Sequence, residues 1–241
     1  MPNPYFQFKQ FTVHHDRCAM KVTTDSCFFG AWSAKEIQNT EPKVKNLLDV
    51  GTGTGLLSLM IAQKNNIEID AVEIDAEAAA QAKENVEASP WKNRIHVFNE
   101  DILSFHANKK YDCIISNPPF YENELASDKE NKNIAHHSEQ LTMRQVLSVI
   151  KNNLQESGIF FLLFPFKREK EIAPLLLQHE LFQLKKITVK QSASHQSFRV
   201  MIMGTNKNAG SENSSTIAIR DEHQQYTGPF VELLKDYYLY L

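Results

Sequence analysis

Three glycines within five residues, Gly51, Gly53 and Gly55, constrain this chain more than any other feature of its sequence. The full 241 residues contain only 8 glycines, about half the usual frequency of roughly 7%. A chain that spares glycine and then clusters it has a backbone requirement at that point, either positive φ or a close approach by another group. Just upstream, Lys45 to Val50 ends in apolar residues and reads as a buried strand, while Leu56 to Lys64 downstream has helical composition. A strand, a glycine turn and a helix in that order expose helix N–H groups beside a turn that a ligand can touch.

The same alternation continues along the chain. Ile67 to Ile74 reads as a strand, and the alanine-rich Ala76 to Ala88 as a helix that Ser89-Pro90 ends. Arg94 to Phe98 and Tyr111 to Ser116 are strand-like, Leu141 to Leu154 has helical spacing with Ser157-Gly158 as a stop signal, Ile159 to Phe166 is an apolar run of strand length, and Glu169 to His179 is helical. Strands alternating with helices predict a parallel sheet covered on both faces. Leu184 to Lys190 and Phe198 to Thr205 are then joined by a stretch too short for a crossover, so this pair is expected to be antiparallel. The predicted architecture is α/β and Rossmann-like: a seven-stranded, mostly parallel sheet with one antiparallel strand and helices on both faces. Asn206 to Ser215 reads as a polar loop, and Thr216 to Leu241 as a tail with a docked helix. One domain is expected over 1–241, with 1–44 as an N-terminal cap, 45–205 as the core and 206–241 as loop and docked segment.

The turn reads Asp49-Val50-Gly51-Thr52-Gly53-Thr54-Gly55. Glu73 ends the next predicted strand roughly 20 residues on, where an acid suits the ribose hydroxyls of a nucleoside cofactor. The spacing is G-x-G-x-G rather than G-x-G-x-x-G, and with Asp49 ahead of it there is little accommodation for a pyrophosphate. This favours S-adenosylmethionine over a dinucleotide. Asp101, beside Ile102 after the third core strand, is expected to face the adenine amino group. Asp75 is a rival ribose acid, but the helix starting next to it makes it an N-cap.

Asn117-Pro118-Pro119-Phe120 follows the strand Tyr111 to Ser116, at the carboxyl edge where open α/β sheets bind ligands. An exocyclic amine on a base is a poor nucleophile because its lone pair is conjugated into the ring. The Asn117 side-chain carbonyl and the Pro118 backbone carbonyl can each accept one hydrogen of such an amine and turn its lone pair toward a methyl donor. Two prolines fix the carbonyl directions, and Phe120 would stack on a base held out of its own stack. No dedicated base is required; positioning and electrostatics carry the reaction.

On these residues the chain resembles class I methyltransferases of the N-P-P-[FY] group, and closely the bacterial tRNA(Val) N6-adenine methyltransferases that modify adenine 37. Further likeness runs from Phe6-Gln7-Phe8-Lys9-Gln10-Phe11 through Cys18-Ala19-Met20-Lys21-Val22-Thr23-Thr24-Asp25, and over Tyr226-Thr227-Gly228-Pro229-Phe230 and Leu234 to Leu239. The resemblance implies that Lys21, Thr24 and Asp25 help to close the cofactor site. Thr23 departs from it, where glycine is expected in many relatives. Guanine N2 methyltransferases acting on rRNA and glutamine N5 methyltransferases acting on protein share both central motifs and the amine chemistry, and stand as alternatives. A cofactor-binding protein without catalysis and a dinucleotide oxidoreductase are the rivals of other classes. The intact Asn117 to Phe120 speaks against the first; the glycine spacing and the reversed strand speak against the second.

Charge and cysteine content bound the partners and the compartment. No apolar run reaches the length of a membrane helix, the start lacks the pattern of a signal peptide, and Cys18, Cys27 and Cys113 form no paired framework. A cytoplasmic, membrane-free and monomeric protein is expected, with Cys113 in the core. The net charge is −3, so an RNA partner must be met by local patches. Residues 49–130 carry 15 acids against 7 Lys and Arg, whereas 167–199 carry 7 bases against 3 acids. That basic stretch and a head with Lys9, Arg17, Lys21 and His14-His15 against Asp16, together with the aromatics Phe6, Phe8 and Phe11, are candidates for a phosphate-tracking rim; solvated helix faces, and aromatics packed on the core, are the plainer alternatives. No metal is expected, since neither His14-His15 nor His136-His137 has zinc-ligand spacing. Tyr121 to His137 is expected to be a lid over the substrate cleft.

Overall fold

The computed structural model describes residues 3–118, 141–208, 210 and 212–241. The head forms a two-stranded antiparallel ribbon, β1 (Tyr5–Gln7) and β2 (Thr12–His14), followed by α1 (Thr24–Gln38). The core then runs β3 (Asn46–Val50), α2 (Leu56–Lys64), β4 (Glu68–Glu73), α3 (Ala76–Glu87), β5 (Ile95–Asn99) and β6 (Tyr111–Ser116). After the segment outside the described residues come α4 (Met143–Asn153), β7 (Leu154–Pro165), a 3-10 turn at Phe166–Arg168, α5 (Glu169–Gln178), β8 (Phe182–Ser192), β9 (Ser197–Thr205), β10 (Asn213–Arg220) and α6 (Gly228–Leu234).

The main sheet has the order β10-β8-β9-β7-β6-β3-β4-β5. Every neighbouring pair is parallel except the two that β9 makes with β7 and β8. The expected reversed strand is therefore β9. The expected seven strands are eight, because the loop assigned to 206–215 turns into β10 at Asn213 and pairs in parallel with β8. The strand order reverses between the parallel neighbours β3 and β6, with β4 and β5 added on one side and β6 and β7 on the other, so the crevice outside their carboxyl ends is the switch point where this architecture binds ligands.

Apolar side chains cover both faces of the sheet. One cluster joins α1, α2, α6 and the head, with Phe28, Phe29, Met60, Phe161, Phe230 and Tyr237 among its buried members. The other joins α4 and α5 to the sheet through Leu147, Ile150, Phe160 and Leu176. Cys113 lies in the first cluster, as expected. Among the described residues no helix is long and apolar enough to cross a membrane.

Helix α1 has no counterpart in the expected element order. Its residues Ser26 to Ala34 are all buried, so this central stretch has no polar face and hence no amphipathic period to read. Gly30 permits its approach to α2, since a Cβ there would stand 2.8 Å from the Met60 sulfur. Thr23, where glycine was expected, caps this helix. Its hydroxyl accepts from the Ser26 N–H at 3.4 Å, and the Ser26 hydroxyl accepts from the Thr23 N–H at 3.1 Å.

The head aromatics are core residues rather than a substrate surface. Phe8 and Phe11 are buried and stacked with centroids 4.4 Å apart, Phe11 meets Trp91 edge-on, and Phe6 and Phe8 both meet Tyr238.

Candidate functional site

The glycine turn leaves β3 at Val50 and enters α2 at Leu56. Gly51, Gly53 and Gly55 have φ of +70°, +55° and +81°, all left-handed, which is the backbone requirement inferred from the clustering. A Cβ at Gly51 or Gly53 would meet nothing within 4 Å, so conformation, not crowding, selects glycine there. The Gly51 and Thr52 N–H groups both donate to the Val72 carbonyl, at 2.9 and 3.1 Å, tying the turn to the end of β4.

Asp49 lies beneath this turn and does not line the cavity above it. Its Oδ2 accepts from the Thr52 and Ser58 hydroxyls, each at 2.6 Å, and its Oδ1 is buried without a hydrogen-bond partner. Burial pushes its pKa up to about 6, with the two hydroxyls pulling the other way. Its place is that of a brace under the turn.

Glu73 ends β4 beside the turn. Its Oε2 accepts from the Gly53 N–H at 2.8 Å and its Oε1 from the Asp75 N–H at 3.0 Å. A carboxylate offers about four acceptor sites, so capacity remains for two hydroxyls. Asp75 is an N-cap, as expected, accepting from the Ala78 N–H at 2.8 Å. Asp101 accepts from the Leu103 N–H at 2.9 Å through Oδ1, which holds the chain in a tight turn after β5.

These groups converge on one cavity of about 700 Å³ at the switch point, within the range of small-molecule sites. Lys21, Gly51, Gly53, Glu73, Asp101, Ile102, Asn117 and Pro118 line it. Ser116 donates to the Val50 carbonyl at 2.8 Å, locking the end of β6 against β3 and setting Asn117 opposite the glycine turn. Pro119, Phe120 and the expected lid Tyr121 to His137 lie outside the described residues. Four expected cofactor residues do not line the cavity: Thr24, Asp25, Asp49 and Gly55. Gly55 is the N-cap of α2, Thr24 opens α1, and Asp25 accepts from Arg199 Nε at 2.7 Å, tying α1 to β9.

The cavity has a feature that sequence reading missed. Met20, Ile74 and Leu103 stand on its lining with 46%, 49% and 48% of their surface exposed. Three exposed apolar side chains from three segments suit the faces of a flat, weakly polar ring. Their positions hold a usable signal, because Ile74 directly follows the acid ending β4 and Leu103 lies two residues after Asp101.

The basic stretch 167–199 is largely paired internally. Arg168 pairs with Glu171, Lys185 with Glu36, Lys186 with Glu169 and Arg199 with Asp25, so these four cations are engaged with the protein's own acids. In the head, Arg17 pairs with Glu84 and Lys9 donates to the Lys235 carbonyl. Among the described residues no group of three His, Cys, Asp or Glu side chains is placed to hold a metal.

The methyltransferase small domain family matches residues 34–172. A relative from Bacteroides thetaiotaomicron, named tRNA1(Val) (adenine(37)-N6)-methyltransferase, is 37% identical over 100% of both chains. A relative of the same name from Pectobacterium carotovorum subsp. carotovorum is 38% identical over 98% of this chain and 94% of its own. Among solved structures, a ribosomal protein L11 methylase from Lactobacillus delbrueckii subsp. bulgaricus superposes with a TM-score of 0.56 at 16% identity, covering 81% of this chain and 84% of that one. The glycopeptide N-methyltransferase MtfA, complexed with S-adenosylmethionine, gives a TM-score of 0.55 at 12% identity over 73% of this chain and 93% of its own. At those identities the structural likeness concerns the fold.

Proposed function

This chain belongs to the methyltransferase small domain family and, within it, to the tRNA1(Val) (adenine(37)-N6)-methyltransferases, and from that membership we propose that it methylates the N6 amine of an adenine in tRNA, adenine 37 of tRNA(Val). The cofactor is S-adenosylmethionine, which supplies an electrophilic methyl group on a sulfonium. The residues of the cavity fit it: Glu73 with acceptor capacity for ribose hydroxyls, Asp101 for a ring amine, and Met20, Ile74 and Leu103 for the ring faces.

The observation that carries the reading is the meeting of Asn117 and Pro118 with Glu73 and Asp101 in one cavity. Cofactor binding and amine orientation then occur at the same switch point. The Asn117 side-chain oxygen and the Pro118 carbonyl accept the two amine hydrogens, which frees the nitrogen lone pair for in-line attack on the methyl carbon. Bound S-adenosylmethionine would supply the methyl carbon, its C–S bonding pair leaving on sulfur as the new N–C bond forms. The methylated nitrogen is strongly acidic and loses its proton to water. We take Phe120 to stack on the extruded base, the protein to act as a cytoplasmic monomer without metal, and residues 1–241 to form one domain.

Tritiated S-adenosylmethionine, given to the protein with RNA from a strain lacking it, tests the reading through nucleoside chromatography. Label in N6-methyladenosine of the tRNA fraction is the expected result. Label in N2-methylguanosine would keep the mechanism and change the substrate, and label only in protein would overturn the RNA reading. Asn117→Ala is expected to lower turnover by roughly 10²–10³-fold while leaving cofactor affinity within about threefold. Turnover near the wild-type rate would refute the amine-orienting role.

A further inference from the structure

Part of the cavity wall comes from the head of the chain. Residues 18–22 line it opposite the glycine turn, although they lie far from that turn in sequence and belong to no strand or helix. What holds this strap in place is a pair of amides on α3, Gln81 and Asn85, four residues apart and therefore on one face of the helix. Both are buried, at 1% and 2% exposure. Buried amides of this kind are retained only where their hydrogen bonds are met.

Gln81 serves the strap alone. Its Oε1 accepts from the Arg17 N–H at 3.0 Å and from the Cys18 thiol at 3.4 Å, while its Nε2 donates to Asp16 Oδ1 at 2.8 Å. Asn85 divides its bonds between two structures. Its Oδ1 accepts from the His14 N–H at 2.9 Å, and its Nδ2 donates to the His14 carbonyl and to the Thr54 carbonyl, each at 2.9 Å. Thr54 belongs to the glycine turn and lines the cavity; Asn85 itself does not line it.

We propose that Asn85 is a positioning residue that, through one amide, fixes the end of β2 at His14, from which the chain runs on into the strap, to the glycine turn, so that cofactor binding and strap order reinforce each other. The inference rests on the reading of this cavity as the S-adenosylmethionine site. No other side chain of similar size reproduces the arrangement. Aspartate lacks both N–H donors, leucine lacks every polar atom, and alanine removes the partner of the part-buried His14 N–H and carbonyl and of the buried Thr54 carbonyl. Linkage makes the effect reciprocal: a ligand that favours the placed strap is bound more tightly by a protein whose strap is already placed.

The test uses the full chain, calorimetry with S-adenosylmethionine, and trypsin. Arg17 and Lys21 are cleavage sites in the strap, and the exposed Lys207, beside a different cavity, is the internal reference. In the wild type, saturating S-adenosylmethionine is expected to slow cleavage at Arg17 and Lys21 at least fivefold and to leave Lys207 unchanged. In Asn85→Ala, affinity for the cofactor is expected to fall at least tenfold. At matched cofactor occupancy, the protection of the strap is expected to be lost. A purely structural role would lower the melting temperature yet leave that protection intact in the folded variant, and this result would overturn the proposal. So would a folded Asn85→Ala that binds within twofold of wild type, or a wild type that binds the cofactor without protection of its strap. If Asn85→Ala does not fold, Asn85→Asp, which keeps an acceptor for the His14 N–H and loses both donors, is read by the same measures, and unchanged affinity and strap protection in it would overturn the proposal. A wild type that binds no S-adenosylmethionine at all would overturn the cofactor reading itself, and the proposal with it.

Discussion

At the scale of single residues, the acid beneath the glycine turn contributes to geometry and costs stability. Asp49 is fully buried, with one oxygen holding Thr52 and Ser58 and the other unpartnered. Its folded pKa, raised to about 6 by burial, lies above that of an unfolded aspartate. Between the ordinary carboxylate range and about 6, the folded protein therefore holds a proton that the unfolded chain releases. Stability falls as pH rises through that window, and the cost, on the order of 3 kcal/mol, is fully present above it. Asp49→Asn does not titrate. The melting temperature of the wild type minus that of the variant should decline as pH is raised from about 4 to about 6.5 and then level off. A difference that does not change with pH would refute the assignment. Such a cost is tolerable because the same carboxylate accepts from the two hydroxyls that shape the turn, and the turn presents Gly53 to Glu73.

At the scale of elements, β9 is the strand on which the sheet's reversed half depends. It lies between β7 and β8 and pairs antiparallel with both. Gly204 is the point of closest packing, where a Cβ would fall 2.3 Å from the Phe160 ring and 2.7 Å from the Phe182 carbonyl. Gly204→Ala is expected to destabilise the protein by roughly 2–3 kcal/mol through overpacking, read as a lower denaturant midpoint with unchanged m-value. Phe160→Leu in the same chain should recover part of that loss, because the two sites share one contact. Additive losses in the double variant would show that the backbone carbonyl, not the ring, sets the limit. The core elements were legible in advance for local reasons. Leu56–Lys64 and Tyr111–Ser116 match their expected bounds, and Ala76–Glu87 falls one residue short, with Ala88 as its C-cap. Each carries its own start or stop signal, such as Asp75 at the cap or the proline after Asn117. β10 has no such signal. It reads Asn213-Ser214-Ser215-Thr216-Ile217-Ala218-Ile219-Arg220, a polar start on an edge strand, and becomes a strand by pairing with β8.

At the scale of the whole molecule, the two ends of the chain share one core. Phe230, Leu234 and Tyr237 are buried in the cluster that contains Phe8, Phe28 and Trp32, and the Tyr237 hydroxyl donates to the Met60 carbonyl at 2.9 Å. Removing residues 213–241 takes those side chains out of the core and bares the edge of β8. We expect the shortened chain to lose its cooperative transition, and the full chain to unfold in one step, with far-UV circular dichroism and tryptophan fluorescence coincident. Trp32 and Trp91 both lie in the shared cluster, so a separate early fluorescence change would contradict a single unit. Net charge says little at this scale, since four cations of the basic stretch are paired with acids of the same chain.

What the amino-acid sequence determines by itself here is whatever a few neighbouring residues decide. The left-handed glycines of the turn, the cap at Asp75, the acid closing β4 and the Asn117-Pro118 step after β6 depend on backbone dihedrals and short-range hydrogen bonds, and they mark both the chemistry and its place at the sheet's carboxyl edge. What the tertiary structure alone decides depends on partners far away in the chain. Helix α1 shows no amphipathic period because Ser26 to Ala34 at its centre are all buried, Phe8 and Phe11 join the core rather than a surface, and Asp49 lies under the turn rather than in the cavity. The strap that completes the cavity is held by amides 63 to 71 residues away. Burial and register arise from contacts between segments distant in sequence, and no local pattern encodes which distant segment will be met.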